Sequence, residues 1–173
     1  MGEPDILLET ARFRVVRRSR RLADGSFHSR ETIEHPGAVV ILPIVDRDSL
    51  CLIRNYRLAV DEELIELPAG TIDDGENPAD TARRELREET GYLAGSIEKV
   101  HEFWVSPGIL REKMHLFVAR DLTVGRSQTE QGEEIKPLVV TWNEALAMIE
   151  ARKIYDAKTI VGILFYERLR GNV

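Results

Sequence analysis

The sequence is poor in cysteine, in net positive charge and in long apolar runs. A single cysteine, Cys51, excludes an intramolecular disulfide, and its place in a short apolar run is typical of packing. Lysine and arginine number 24 against 30 aspartate and glutamate, giving a formal net charge of −6. That charge argues against broad nucleic-acid binding, which needs a positive face. No apolar run reaches the roughly eighteen residues of a membrane span.

Length and the first residues limit the organisation further. The 173 residues suit one domain with a sizeable core and a small appendage. The N-terminal residues lack the basic and apolar regions of a signal peptide. Ile6 stands where a myristoylation site needs serine or threonine. The expected location is therefore the cytoplasm.

An antiparallel hairpin is predicted over residues 12–34. Apolar residues alternate there with arginines, and an Asp-Gly pair at 24–25 supplies the turn. We interpret the arginines as a solvated strand face in preference to a phosphate-binding patch. A His-Pro-Gly stretch then breaks the pattern. The predicted division is an N-terminal β-hairpin region over 1–36, followed by the main domain over 37–173.

Apolar runs and capping residues predict the elements of the main domain. Asn77 is expected to cap the first helix, and Gly91 is expected to end it. Strand-rich segments with a few interposed helices indicate an α/β or α+β sandwich. The predicted elements are strands at 38–45, 50–54, 64–67, 97–105, 114–120 and 138–142 and helices at 77–91, 143–151 and 157–169.

The first helix carries three glutamates that share one face. Glu85, Glu88 and Glu89 are three and four residues apart, a spacing at which like charges destabilise a helix by about 0.2–0.5 kcal/mol per pair. A carboxylate cluster beside a glycine loop suits a hard divalent cation such as Mg²⁺, which can neutralise a pyrophosphate and activate water. From its composition alone, this helix fits a solvated face of mixed acidic and basic residues as well as it fits a cation site.

The order of residues around this helix resembles the Nudix hydrolase family. Gly70, five residues, Glu76, seven residues and then Arg84 through Gly91 occupy the fixed positions of the Nudix box. Tyr92 departs from it, because an aliphatic residue is more usual there. The resemblance implies a loop–helix–loop on an αβα sandwich with a mixed sheet, preceded by a small N-terminal antiparallel sheet.

The resemblance also implies a metal site. Glu85, Glu89 and the backbone carbonyl of Ala69 match metal ligands of the family. Glu88 matches an additional ligand, or a residue that assists catalysis from beside the metal. Arg84 matches the box arginine, which in the family more often orients a glutamate than touches substrate. The implied cofactor is Mg²⁺, with Mn²⁺ as a substitute.

Residues flanking the box resemble the ADP-ribose pyrophosphatase subfamily. Pro107 lies sixteen residues after Gly91, as it does in that subfamily. Stretches 66–70 and 156–159 match the approach to the box and the start of the last helix. The resemblance extends over about residues 30–169, nearly the whole chain.

This subfamily resemblance implies further substrate and catalytic residues. Arg57 matches an arginine that contacts the diphosphate, which a guanidinium can bind bidentately. Arg54 is a second candidate for that contact, with a surface salt bridge as the alternative. Glu112 matches a glutamate near the metals or substrate, with an ordinary loop carboxylate as the alternative. Glu133 aligns best with the glutamate that positions or deprotonates the attacking water, and Glu134 is the alternative.

The N-terminal hairpin has a counterpart in the family that exchanges contacts across a homodimer. The resemblance therefore implies a homodimer through the N-terminal region. Arg30 and Phe27 would then reach the partner's nucleotide, with the ring stacking on adenine. A strand face turned to solvent, or to its own domain, is the alternative for both residues.

We therefore expect a Mg²⁺-dependent Nudix hydrolase that converts ADP-ribose and water into AMP and ribose 5-phosphate. GDP-mannose or another nucleotide sugar is the alternative substrate. A second alternative is a non-catalytic nucleotide sensor, although the intact glutamates argue against it. The expected partner is a small nucleotide-sugar substrate, with neither nucleic acid nor membrane.

Overall fold

The computed structural model describes residues 3–125 and 135–171. Within these ranges the chain forms eleven strands and three helices. In chain order the elements are β1 (Asp5–Glu9), β2 (Arg14–Arg21), β3 (Phe27–Glu34), β4 (Ala38–Pro43), β5 (Ser49–Arg57), β6 (Glu62–Glu66), β7 (Ala69–Thr71), α1 (Pro78–Thr90), β8 (Tyr92–Trp104), β9 (Leu110–Arg111), β10 (Lys113–Val124), β11 (Lys136–Thr141), α2 (Trp142–Glu150) and α3 (Ala157–Arg170).

The strands form three sheets, one of which is mixed. The central sheet has the order β7-β4-β10-β8, and within it β4 and β10 are parallel while the other neighbours are antiparallel. The second sheet has the order β11-β5-β6 and the third the order β1-β2-β3-β9. The predicted fold class, an α/β arrangement with a mixed sheet, is confirmed.

Strand β4 lies at the centre of the sandwich, and all six of its residues are buried. Because side chains alternate between the two faces of a strand, neighbouring residues of β4 belong to different cores. Ile41 shares a core with Leu86 of α1, while Leu42 shares the other core with Ile163 of α3. The central sheet is therefore covered by α1 on one face and by α3 on the other.

Helix α1 begins and ends where its capping residues predict. The side chain of Asn77 accepts a hydrogen bond from the Ala79 amide at 2.9 Å, and Pro78 occupies the first turn, where no amide hydrogen is needed. Gly91 ends the helix in the left-handed region at φ 76°, which a residue without Cβ adopts at low cost. Its amide donates to the carbonyl of Arg87 at 2.9 Å.

Several boundaries differ from the sequence prediction. Strand β5 continues to Arg57, beyond the predicted end at residue 54, and β8 begins as early as Tyr92. Trp142 begins α2 instead of ending a strand, because Thr141 forms a capping box with Glu144. Cys51 is completely buried, which raises the pKa of its thiol to about 11 and agrees with a packing role.

The predicted N-terminal hairpin is present as β2 and β3, and Gly25 has a positive φ of 86° in its turn. Two strands that the pattern did not predict extend this sheet, β1 on one edge and the two-residue β9 on the other. Strand β9 pairs in parallel with the end of β3. The division of the chain at residue 36 remains a prediction.

The described ranges contain no helix that is long and apolar enough to cross a membrane.

Candidate active site

One cleft brings most of the predicted site residues together. This main cleft, of about 830 Å³, lies between the loop before α1, the exposed face of α1, the end of β5 and the start of α3. The predicted site residues that line it are Arg57, Ala69, Glu85, Glu88, Glu89 and Glu112. Arg54 and Arg30 do not line it, and Glu133 and Glu134 lie outside the described residues.

Strand β7, at the edge of the central sheet, contacts two of the glutamates of α1. Glu89 is 5% exposed, and its carboxylate accepts a hydrogen bond from the Ala69 amide at 2.8 Å. The Glu85 carboxylate lies directly against Gly70, where a Cβ would overlap it. Glycine at position 70 is therefore required for Glu85 to reach this position.

Arg84 binds the remaining side of the glutamate cluster. Its Nη1 donates to Glu85 Oε1 at 2.7 Å and to Glu88 Oε2 at 3.2 Å. Its Nε and Nη2 donate to the two oxygens of Glu76 at 3.2 and 3.1 Å. The hydrogen bond from Arg84 lowers the pKa of Glu76, and the same bond raises the pKa of Arg84. The guanidinium of Arg84 therefore orients these glutamates, and its nitrogens already donate hydrogen bonds within the protein.

The residues of the main cleft fit a divalent cation in chemistry and position. Across residues 3–125 and 135–171, no three acidic, histidine or cysteine side chains already converge as a metal cluster. The three glutamates nevertheless line the same cleft as Ala69, and oxygen donors are what hard cations take. Because Arg84 shares the oxygens of Glu85 and Glu88, a cation bound to these oxygens would replace the guanidinium as their partner.

Arg57 lines the same cleft and carries positive charge. Its Nε and Nη2 donate to the two oxygens of Glu66 at 2.9 and 2.6 Å, and this hydrogen bonding raises the pKa of Arg57. Burial pushes the pKa of Glu66 upward, but hydrogen bonds from Arg57 and the charge of Lys158 outweigh it and lower that pKa. Asp156 and Lys158 also line the cleft. Both residues lie in the stretch 156–159 that matches the subfamily, but no role was predicted for either.

The remaining candidates occupy different places. Arg54 donates to Glu63 at 3.1 Å in a partly exposed salt bridge, the arrangement that was its alternative interpretation. Glu112 lies 3.5 Å from Nδ1 of His35, which also lines the main cleft. Arg30 is exposed on β3 and donates to His28 at 3.1 Å. Phe27 is 73% exposed.

Comparisons with known proteins found similar sequences and a similar fold. The model of the NUDIX domain family matches residues 34–160. ADP-ribose pyrophosphatase of Bacillus subtilis (strain 168) is 37% identical over 148 residues, which cover 84% of this chain and 80% of that protein. GDP-mannose pyrophosphatase of Cronobacter sakazakii (strain ATCC BAA-894) is 39% identical over 154 residues, with coverages of 83% and 80%. A crystal structure of an ADP compounds hydrolase superposes with a TM-score of 0.81 at 26% identity, covering 99% of this chain and 97% of that one.

Proposed function

The chain belongs to the Nudix family and is a Nudix hydrolase, and from that premise we propose that it cleaves the pyrophosphate bond of ADP-ribose or a related nucleoside diphosphate sugar. With ADP-ribose the products are AMP and ribose 5-phosphate. The observation that carries the proposal is one cleft lined both by the carboxylates of α1 and by the cationic side chains of Arg57 and Lys158. A metal-bound diphosphate needs both signs of charge, since cation and phosphate oxygens bind different protein groups.

The proposed metal is Mg²⁺, with Mn²⁺ as a substitute. Glu85, Glu89 and the Ala69 carbonyl would hold it, and Glu88 would assist. When bound, the cation neutralises phosphate charge and lowers the pKa of a coordinated water.

The chain's own residues supply the remaining functions of the proposed site. Arg57 binds phosphate oxygens through the guanidinium N–H groups that its fork to Glu66 leaves over, because a guanidinium has more donors than that carboxylate uses. Glu112 lines the same cleft, and we assign it a contact with the metal shell or the sugar. Glu133 positions or deprotonates the attacking water, with Glu134 as the alternative. This last assignment rests on the sequence resemblance, because both residues lie outside the described ranges.

We also propose that two copies of the chain pair through the N-terminal sheet. All five residues of β1 are exposed, and Ile6, Leu7 and Leu8 are each about half exposed. A contiguous apolar strand at a sheet edge is a surface that pairing with another chain would cover. Sedimentation equilibrium that gives the mass of a monomer would exclude this pairing.

GDP-mannose is the second candidate substrate. It is favoured by the relative from Cronobacter sakazakii, whose identity to this chain is close to that of the Bacillus subtilis relative. The third candidate, a non-catalytic nucleotide sensor, requires no carboxylates for chemistry. The cluster of Glu85, Glu88 and Glu89 in one cleft therefore favours a hydrolase.

The test is to incubate the purified protein with Mg²⁺ and separate the products from ADP-ribose, GDP-mannose, UDP-glucose, NADH and diadenosine polyphosphates. Preferential release of AMP from ADP-ribose is expected. Preference for GDP-mannose would retain the metal site and replace the substrate. Tight binding of ADP-ribose in calorimetry without any AMP release would favour the sensor.

A further inference from the structure

Glu66 is a buried carboxylate that two cations reach from different elements. It ends β6, is 1% exposed, and accepts both hydrogen bonds of the Arg57 fork from β5. The ammonium group of Lys158, in the first turn of α3, bonds to the same Oε2 that Arg57 Nη2 contacts. Burying a carboxylate in this way is costly unless its partners are placed accurately, so the arrangement demands an explanation.

Both cations border the main cleft, whereas Glu66 lies beneath its surface. The side chains of Arg57 and Lys158 are 39% and 12% exposed, and both line the cleft that holds the carboxylates of α1. Glu66 does not line it. The carboxylate is therefore placed to act on a ligand through the two cations, without touching the ligand itself.

A second set of contacts fixes this group to the start of α3. Asp156 caps that helix, and its Oδ2 lies 3.0 Å from both the Lys158 ammonium and the Thr159 amide. Thr159 Oγ1 accepts a hydrogen bond at 2.8 Å from the amide of Leu67, the residue after Glu66. These contacts restrain the side chains before a ligand arrives, so little conformational entropy is lost when the ligand binds.

The opposite face of the same strand pair carries a contrasting ion pair. Arg54 and Glu63 also join β5 to β6, but both side chains are more than 40% exposed and one hydrogen bond connects them. Surface pairs of this kind contribute little to stability. The two pairs join the same strands, but only one has a buried carboxylate and an arginine that lines the main cleft.

We propose that Glu66 is a positioning residue that holds Arg57 and Lys158 as a fixed pair of cations for the diphosphate of the substrate. This inference rests on the proposed function and deepens it by naming how the phosphate-binding wall is oriented. The substrate class is a diphosphate, because two cations held on one carboxylate oxygen offer a positive group to each of its two adjacent phosphates.

The test measures binding of inorganic pyrophosphate with Mg²⁺ by calorimetry, together with kcat and KM for ADP-ribose. Glu66→Gln should weaken pyrophosphate binding by about 10- to 100-fold and raise KM more than it lowers kcat, because the lost interactions serve binding. Glu63→Gln is the matched control on the exposed face and should leave both measurements within twofold of the unmodified protein.

A double-mutant cycle separates positioning from a structural role. In the Arg57→Ala, Lys158→Gln background, Glu66→Gln should have little additional effect on pyrophosphate binding, because its effect is transmitted through those cations. Equal losses in both backgrounds would overturn the proposal. If Glu66→Gln does not fold, the same measurements are made on Glu66→Asp, which keeps the charge but moves it away from the two cations by the length of one methylene. Loss of the fold in both variants would make Glu66 purely structural and overturn the proposal.

Failure of the proposed hydrolase function and failure of the positioning role of Glu66 give different experimental results. If the unmodified protein hydrolyses no nucleoside diphosphate sugar yet binds pyrophosphate, the proposed function fails while the binding cycle still tests Glu66. If hydrolysis is normal but Glu66→Gln binds pyrophosphate as tightly as the unmodified protein, the positioning role alone is overturned.

Discussion

Two charge networks in this molecule each contain one charged side chain among several of the opposite sign, and the signs are reversed between the two. In the first, Arg84 is surrounded by Glu76, Glu85 and Glu88 beside the main cleft. In the second, Glu34 at the end of β3 is surrounded by arginines of the N-terminal sheet. Its partners are Arg14 at 2.9 Å, Arg18 and Arg111 at 3.6 Å.

In each network the minority charge is placed at the centre and its pKa is shifted to keep it ionised. Hydrogen bonding to Glu76 raises the pKa of Arg84, and hydrogen bonding from Arg18 lowers the pKa of Glu34. Glu85 and Glu88 of the first network line the main cleft, and Arg14 and Arg111 of the second line an adjoining cleft of about 750 Å³. A chain with net charge −6 thus has a basic surface beside its acidic one.

The largest effect is expected at Glu89, the buried carboxylate beside the acidic network in the main cleft. Glu89→Gln should reduce turnover of ADP-ribose with Mg²⁺ on the order of a thousandfold, since a lost metal ligand removes several kcal/mol of transition-state stabilisation. Steady-state kinetics measure this, and thermal unfolding checks that the fold is kept. Glu98→Gln, at a side chain that is 64% exposed, is the control and should be neutral. Near-normal activity of Glu89→Gln would remove it from the metal site.

Breaking the basic network should change stability instead of chemistry. Glu34→Gln should lower the free energy of unfolding at pH 7 by about 1–3 kcal/mol, because a nearly buried carboxylate loses charged hydrogen bonds. Urea denaturation measures the loss. Glu31→Gln, also on β3, breaks an exposed pair with Arg17 of β2 and should lower stability clearly less than Glu34→Gln. Equal losses in the two variants would contradict the comparison.

The stability from Glu34 should also depend on pH in a defined direction. Its pKa in the folded protein lies below the ordinary value of 4.5, so the contribution is complete above that value. It is lost as the pH falls through the lower pKa of the folded state. The difference between Glu34→Gln and the unmodified protein should therefore be constant near neutrality and shrink below about pH 4. A difference that grows in acid would contradict this assignment.

The smallest effect is expected at Arg30, on the basic sheet but outside both clefts. If two copies pair and Arg30 reaches the partner's nucleotide, as the family resemblance implies, Arg30→Ala should raise KM by a few-fold with kcat unchanged, because it removes binding common to substrate and transition state. Unfolding free energy should change by less than about 0.5 kcal/mol. Arg20→Ala, another exposed arginine on this sheet, is the control. An unchanged KM would exclude Arg30 from substrate binding.

Local chemistry made part of this molecule predictable from sequence. The caps of α1 at Asn77 and Gly91 act within one helical turn, so the helix ends could be predicted without knowing the fold. The spacing of Glu85, Glu88 and Glu89 placed them on one face of that helix for the same reason. Alternating and continuous apolar runs likewise predicted the β2–β3 hairpin and the buried strand β4.

Contacts between distant segments were decided by the tertiary structure. Strand β9 has two residues and pairs with β3, and Lys158 meets Glu66 from a helix 92 residues further along the chain, so neither contact leaves a local signal. Arg54 and Arg57 were both candidates for the diphosphate contact. They lie three positions apart on one strand, so their side chains are on opposite faces. Because β5 continues through Arg57, one arginine borders the cleft and the other pairs on the outer face. The sequence by itself determined the box helix and its carboxylates, whereas pairing and packing of distant strands decided which cations face them.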